Sequence, residues 1–493
     1  MSLNHRTHLL VGNIFLILTL GFCLLIGKLV TVLPSMVPVL LVFALFVFFL
    51  SIANTDLAMT LLIFAMLLSP ELSLGAISKQ RAVVIRVEDL LIVVFSLAWL
   101  AKTTTHGKIG FITKTPINRW IGFYISIFVL STIMGMTSER LKAMTGIFYI
   151  LKYLEYFFIY YLVCGLLKNK MQVKFYLKAF IITFAIVNIY AFLQIGSADR
   201  VSAPFEGEIG EPNTLGGYQI LLLGIIIGIL THVKSLKWRL PLVGLTFFSL
   251  VPFAFTLSRA SYMSILPMYF TLIFFNKFKT RNILIGFFII FVILSFFFFP
   301  KNIKERIAYT FVAQEQETIK PVEIGGVTLG SSASARIQDW VRLFHKWKKR
   351  PFFGYGITGA GFVDSQFIRT LVELGLVGFS AFIGLLIVIF RRVLWIYRNT
   401  QDDWYKGIAL GFLAGHVGMI FHATTANTFI LIRIMEPYWF LAAIVMMIPK
   451  LEAMQKKEDE VVAVEKVKEV SVPTQSVVPR NVDIISGRRV NGN

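Results

Sequence analysis

Apolar residues run in long blocks separated by short polar segments. Blocks near 9–27, 35–53, 56–69, 87–101, 120–136, 145–167, 174–195, 213–231, 239–257, 260–276, 282–299, 366–390, 406–423 and 429–448 each read as a helix. Many approach or exceed the roughly 18 apolar residues that cross a bilayer. Strict alternation of polar and apolar positions, the mark of a transmembrane strand, is absent. Lipid then leaves helices as the way to satisfy the backbone. The pattern predicts an all-α polytopic membrane protein with about 14 transmembrane helices. The third and fourth blocks are the shortest. The mixed segment SKQRAVVIRVED before the fourth reads as a helix lying on the surface. The first block follows His5 and Arg6, has no small-residue cleavage site behind it, and reads as an uncleaved span.

Composition agrees, with 56% hydrophobic and 15% charged residues, where a soluble domain carries about 25% charged. The net charge of +21 would suggest nucleic acid in a soluble protein. Here the cations concentrate in alternate loops, at 102–119, 168–174, 232–239, 277–281 and 391–406. The intervening loops include 137–142 and the net-negative 196–213. The positive-inside rule assigns both termini to the cytoplasm and needs no nucleic-acid partner. Four regions follow: helices 1–11 in residues 1–299, a large helical extracytoplasmic loop at 300–365, helices 12–14 in 366–448, and a charged, aromatic-poor cytosolic tail at 449–493, expected to be disordered. Cys23 and Cys164 sit inside apolar blocks and form no disulfide framework or zinc spacing.

Sidedness sorts the polar residues. Arg200, Arg259, Arg336 and the group Asp364, Arg369, Glu373 all fall at the outer level. Arg259 stands at the tip of a hairpin with two or three polar residues between apolar helices. An arginine there must snorkel or find an anion. Arg336 opens an amphipathic helix, capped by Ser332 or Ser334, with Ile337, Trp340, Val341, Phe344 and Trp347 on one face. Asp339, Arg342, Lys346 and Lys349 share the other face with Arg336, and this basic side suits anionic lipid. Arg369 and Glu373 are four apart on one helix face. Lys152 with Glu155, and Arg433 with Glu436, are three apart and read as local pairs inside the bundle. His422, near an outer helix end, is an acid/base candidate; His345 reads as a face-filling residue, and no histidine has a second ligand at metal spacing. Guanidinium groups bind phosphate bidentately and stay charged. Several of them beside a carboxylate suit a membrane pyrophosphate attacked by a hydroxyl, with no metal or cofactor required.

The stretches RVSAPFEGEIGEPNTLGGY, FTLSRASY and RIQDWVRLFHKWKKRPFFGYG followed by LVELGLVGF resemble, in order and spacing, the O-antigen ligase and O-antigen polymerase superfamily of bacterial envelope enzymes. The resemblance covers about residues 145–390. It implies a polyprenyl-diphosphate-linked glycan as donor, a glycan acceptor, metal-independent transfer with inversion, and a seat in the cytoplasmic (inner) membrane. By motif match Arg259 and Arg336 would hold the diphosphate, with Arg200 beside them, and Asp364 would be the base; by their outer position Arg369 joins the binding candidates, and Glu373 and His422 join the catalytic ones. Ligases of the family carry a His–Asn pair where this chain has Asp364–Ser365, which tilts the expectation toward polymerase. Two other readings compete. A lipid-linked oligosaccharide transporter or flippase would show midplane polar sites and broken helices in repeated halves. An envelope scaffold would need no carboxylate beside the arginines.

Overall fold

The computed structural model describes residues 36–69, 71–78, 81–105, 113–204, 210–298, 304–305, 323–324, 327–328, 331–361 and 363–471. In chain order the elements are α1 (Met36–Ala53), α2 (Thr55–Leu68), β1 (Glu71–Ser78), β2 (Arg81–Arg86), α3 (Val87–Thr105), α4 (Asn118–Thr137), α5 (Ala143–Leu166), α6 (Lys170–Leu193), α7 (Pro212–His232), α8 (Leu236–Phe255), α9 (Arg259–Phe275), α10 (Phe278–Phe298), β3 (Glu323–Ile324), β4 (Val327–Thr328), α11 (Ser331–Lys348), α12 (Gln366–Asn399), α13 (Asp403–His422) and α14 (Ile432–Ser471). The first predicted span lies outside the described residues, and every other one falls on a helix. Among the described residues, eight helices are long and apolar enough to cross a membrane. The chain is a multi-pass membrane protein.

Helix starts follow local chemistry. Asn54, Asn169, Ser258 and Asp402 each accept a backbone N–H of the following first turn. Pro212 opens α7, where its missing N–H costs nothing.

Three expectations are corrected. The segment before α3 is a strand: β1 and β2 form an antiparallel hairpin with Leu72 opposite Ile85. Its run of Val83, Val84 and Ile85 is β-branched, and such residues favour an extended backbone. Ser332 and Ser334 lie inside α11, which already begins at Ser331. The tail is helical as far as Ser471. Its Glu, Lys, Ala and Gln are good helix formers, a preference that a composition rule for disorder ignores. The long loop shows α11 and the short hairpin β3–β4, and most of its remainder lies outside the described residues.

The tightest seam joins α7 to α13. Gly224 and Gly228 face Gly407, Gly411 and Gly415; a Cβ on Gly228 would stand 2.4 Å from the Gly411 Cα. Lipid tails are as apolar as leucine, so close backbone approach between small residues is a main source of helix association in a bilayer. Buried polar bridges add direction: Gln219 Nε2 donates to Asn188 Oδ1 (2.6 Å), and Tyr438 and His416 meet at 2.8 Å.

Helix α12 is broken. Gly375 has φ 69° and ψ −171°, which frees carbonyls before it and N–H groups after it. Loop 351–356 lies across the break. Pro351 and Phe352 carbonyls accept from Leu376 N (2.7 Å) and Val377 N (3.2 Å). Tyr355 N (3.0 Å) and Gly356 N (2.8 Å) donate to Glu373 O, and Ser131 Oγ of α4 donates to the same carbonyl at 2.9 Å. A Cβ at Gly375 would meet Phe352 O at 2.2 Å, so the crossing needs glycine.

The glycine seam predicts that Gly411→Leu destabilises strongly, at or above the upper end of the roughly 1–3 kcal/mol that overpacking costs. Gly244, with open space around it, should accept alanine without loss. Thermal unfolding and monodispersity of the detergent-purified variants check both.

Candidate functional site

The hairpin tip between α8 and α9 consists of Thr256, Leu257 and Ser258. Leu257 sits in the left-handed region at φ 49°, a conformation that costs a non-glycine residue on the order of 1 kcal/mol or more. The tip is held in that shape from outside. Val201 N donates to Phe255 O (3.2 Å), and Arg200 reaches Thr256 O with Nε (3.0 Å) and Leu257 O with Nη2 (3.3 Å). Arg200 and Arg259 therefore meet at one turn. Arg259 is the first residue of α9, where the helix dipole already presents positive charge. A cation added to a helix N-terminus makes a place for an anion.

Behind the tip runs a chain of hydrogen bonds. Ser258 Oγ donates to Asn213 Oδ1 of α7 (2.7 Å), and Ser261 Oγ donates to Ser258 Oγ (2.8 Å). Ser261 Oγ and His422 Nε2 are 3.3 Å apart, and His422 Nδ1 and Thr428 Oγ1 are 2.7 Å apart. His422 is fully buried, so it stiffens the tip from inside the bundle.

Arg336 and Asp364 form the second half. Arg336 Nε lies 3.3 Å from Asp364 Oδ2, and both side chains are about one-third exposed, at 28% and 38%. Their elements are packed together by Leu343, Ala360, Val363 and Val372, with Trp347, Tyr355 and Ile368 around them. Lys346 is part of this scaffold. Its Nζ donates to Gly359 O (3.0 Å) and Ala360 O (3.2 Å), and its own carbonyl accepts from the Tyr355 hydroxyl. Burial, then Arg342, push its ammonium below the usual lysine range, while Glu373 opposes. Asp364 sits just ahead of α12, whose first N–H, at Gln366, donates to Ala423 O and Ala426 O at the end of α13.

Glu211, just before α7, links the halves. Its carboxyl is raised by burial first and then by Asp364, and lowered by Arg200. Asp364 and Arg200 thus both act on Glu211, and Asp364 is in turn held by Arg336. Glu211 is the residue that sequence reasoning missed. It sat among several acids in a polar loop, with nothing in the pattern to separate it from Glu206 or Glu208.

Other candidates lie elsewhere. Arg369 Nε donates to Glu373 Oε1 (3.1 Å), which also accepts from Thr358 N (2.9 Å); both side chains are buried. This pair anchors the loop that covers the helix break. His345 is exposed and its Nδ1 meets only Val341 O, at 2.8 Å. On α11 the apolar face is split: Leu343 is buried, whereas Val341 and Phe344 remain exposed. Arg433 does not pair with Glu436. It donates to the carbonyls of Leu67 (3.0 Å), Pro204 (2.7 Å) and Ser69 (3.1 Å). Lys152 holds Glu155 at 3.3 Å and also Asp89, at 2.5 Å. Among the described residues no group of His, Cys, Asp or Glu could hold a metal ion.

Residues 244–383, from α8 into α12, match the family model described as O-antigen ligase. That stretch, under a third of the chain, is similar to the O-antigen ligase superfamily, and it supports an enzyme of glycan-ligase type acting in polysaccharide synthesis. It includes Arg259, Arg336, Asp364, Arg369 and Glu373, and leaves Arg200, Glu211 and His422 outside. A comparison with curated proteins finds no match.

Removing one partner of a buried ion pair leaves an uncompensated charge and costs about 3–5 kcal/mol. Glu373→Gln should therefore lower the unfolding temperature markedly, and the double change Arg369→Met with Glu373→Leu should recover most of it. Asp364→Asn, at a half-open pair, should cost under about 1 kcal/mol. Thermal unfolding of the three purified variants distinguishes them.

Proposed function

We propose that this protein transfers glycan from a polyprenyl-diphosphate carrier to a sugar hydroxyl at the outer face of the cytoplasmic membrane. The observation that carries the reading is the convergence of Arg200 and Arg259 on one hairpin tip, which Ser258 ties to Asn213 at the head of α7, next to Glu211; Arg336 holds a second carboxylate, Asp364. These residues come from segments far apart in the chain. A cluster of arginines with a carboxylate among them suits a diphosphate leaving group beside an acceptor hydroxyl. The alternation of basic loops supports fourteen spans with both termini inside. That sidedness would set the cluster on the outer side, where a lipid-linked glycan meets its acceptor.

In the reaction, the acceptor oxygen attacks the anomeric carbon of the donor sugar. A new C–O bond forms as the bond from that carbon to the diphosphate oxygen breaks. The diphosphate departs with the electron pair, still joined to its lipid, and Arg200, Arg259 and Arg336 stabilise the developing charge. Arg336 keeps Asp364 on its Nε and offers its other guanidinium nitrogens to the phosphate. The hydroxyl proton passes to a carboxylate, and the sequence nominates Asp364 for that role. Arg369, Glu373 and His422 act behind the site, holding the head of α12 and the hairpin tip. Aspartate and serine at 364–365, in place of the ligase pair, favour polymerisation over transfer to a lipid core.

A flippase is the competing reading, and the break in α12 is the feature it would claim. The groups freed at Gly375 bond to protein, with loop 351–356 and Ser131 taking them up. A substrate passage would leave them to a cavity.

Arg259→Ala and Arg336→Ala should each reduce polymer by at least about 10²-fold, the loss expected when one charge-stabilising donor is removed, with expression retained. Full polymer from both variants in complemented cells would sink the assignment. Incubation of the purified protein with polyprenyl-diphosphate glycan extracted from host membranes should give products extended on the carrier.

A further inference from the structure

Glu211 is held more firmly than a loop residue usually is. Its carbonyl accepts from Thr214 N at 2.9 Å, which fixes its backbone as the start of α7, and its side chain does not cap that helix. Two residues on, Asn213 is gripped by Ser258 from the arginine tip at 2.7 Å. Gly216 packs against the same helix so closely that a Cβ would overlap the Ser261 hydroxyl, at 1.9 Å. The distance between Glu211 and the Arg259 tip is therefore set by backbone packing. Glu211 as a residue reaches the surface, unlike the buried Glu373 and His422, while the protein packed around its carboxyl partly desolvates it. An acceptor sugar arriving from water can reach it.

Asp364 has a different situation. Its carboxylate is held by Arg336 at 3.3 Å. Of two neighbouring carboxylates, the one engaged by a guanidinium is the poorer proton acceptor. Resting on the transfer reading above, we propose that Glu211 is the group that accepts the proton of the attacking hydroxyl, with Asp364 as the positioning carboxylate that polarises it. The electron pair of the breaking O–H bond stays on the acceptor oxygen as that oxygen bonds to the anomeric carbon and the carbon–diphosphate bond breaks. The proton moves to a Glu211 oxygen, and the diphosphate leaves unprotonated on the arginines.

The electrostatics fit this division. Burial and then Asp364 raise the Glu211 carboxyl, and Arg200 lowers it. Arg336 faces Asp364, and Arg259 lies at the neighbouring tip. A base raised toward the working pH is a better proton acceptor than an ordinary carboxylate. Its basic form exists above its own pKa, so activity should fall as pH drops through that value. Replacing Asp364 by a neutral residue removes a raising influence, and the fall should move to lower pH.

The test uses full-length protein in detergent with polyprenyl-diphosphate glycan extracted from host membranes, following product by chromatography across pH. Glu211→Gln should lower kcat by about 10²-fold or more, within the range for loss of a general base, leave the donor KM within about threefold, and abolish the acid limb. Glu211→Asp should restore part of the rate, and Asp364→Asn should retain a limb displaced to lower pH. A Glu211→Gln enzyme within threefold of wild type, or one that keeps the wild-type limb, overturns the assignment and leaves the transfer reading standing. Wild-type protein that makes no product from the host donor overturns the transfer reading itself.

Discussion

A helix inside a bilayer cannot leave backbone groups unpaired, because no water is present to take them. The break at Gly375 therefore dictates much of what surrounds it. The freed groups require another chain segment at hydrogen-bond distance, and loop 351–356 supplies it with Ser131. Laying that loop across α12 brings α11 against the head of the same helix. The Arg369–Glu373 pair and Thr358 tie down the far side. Arg336 and Asp364 face each other as a consequence of this repair.

The other half of the site depends on close packing of small residues. The glycine seam lets α7 and α13 approach backbone to backbone, and Gly216 and Gly217 continue that approach to Ser261 and His422. Arg336 and Asp364 remain part-exposed, while at the hairpin tip uncharged groups carry the structural load. The chain from Asn213 through Ser258, Ser261 and His422 to Thr428 is such a support. It is also why a left-handed leucine is tolerated at the tip: carbonyls on either side of that strain are gripped by Arg200.

Helix positions were legible because each span is a local property of a continuous apolar run. The arginines at 200, 259 and 336 stood out because charge is rare at such levels of a membrane chain. Spacing rules had mixed success. Arg369 and Glu373 pair as their separation of four implies, while Arg433 ignores Glu436 and binds carbonyls of α2 and of the segment after α6. A spacing rule sees one helix, and Arg433 is long enough to reach three separate carbonyls. The β1–β2 hairpin was misread because a short segment with both charge and β-branched residues satisfies either pattern.

From the sequence alone came a multi-pass helical protein, the order of its helices, the basic loops and the arginines worth comparing. Those follow from hydropathy and charge, which are read residue by residue. Only the tertiary structure distinguished the part-exposed Arg336 and Asp364 from charged groups enclosed in the bundle. It buried Arg369, Glu373 and His422, and it brought Glu211 into the company of Arg200 and Asp364. Which of several acids in one loop meets a partner more than a hundred residues away depends on how helices pack, and packing is a property of surfaces in contact.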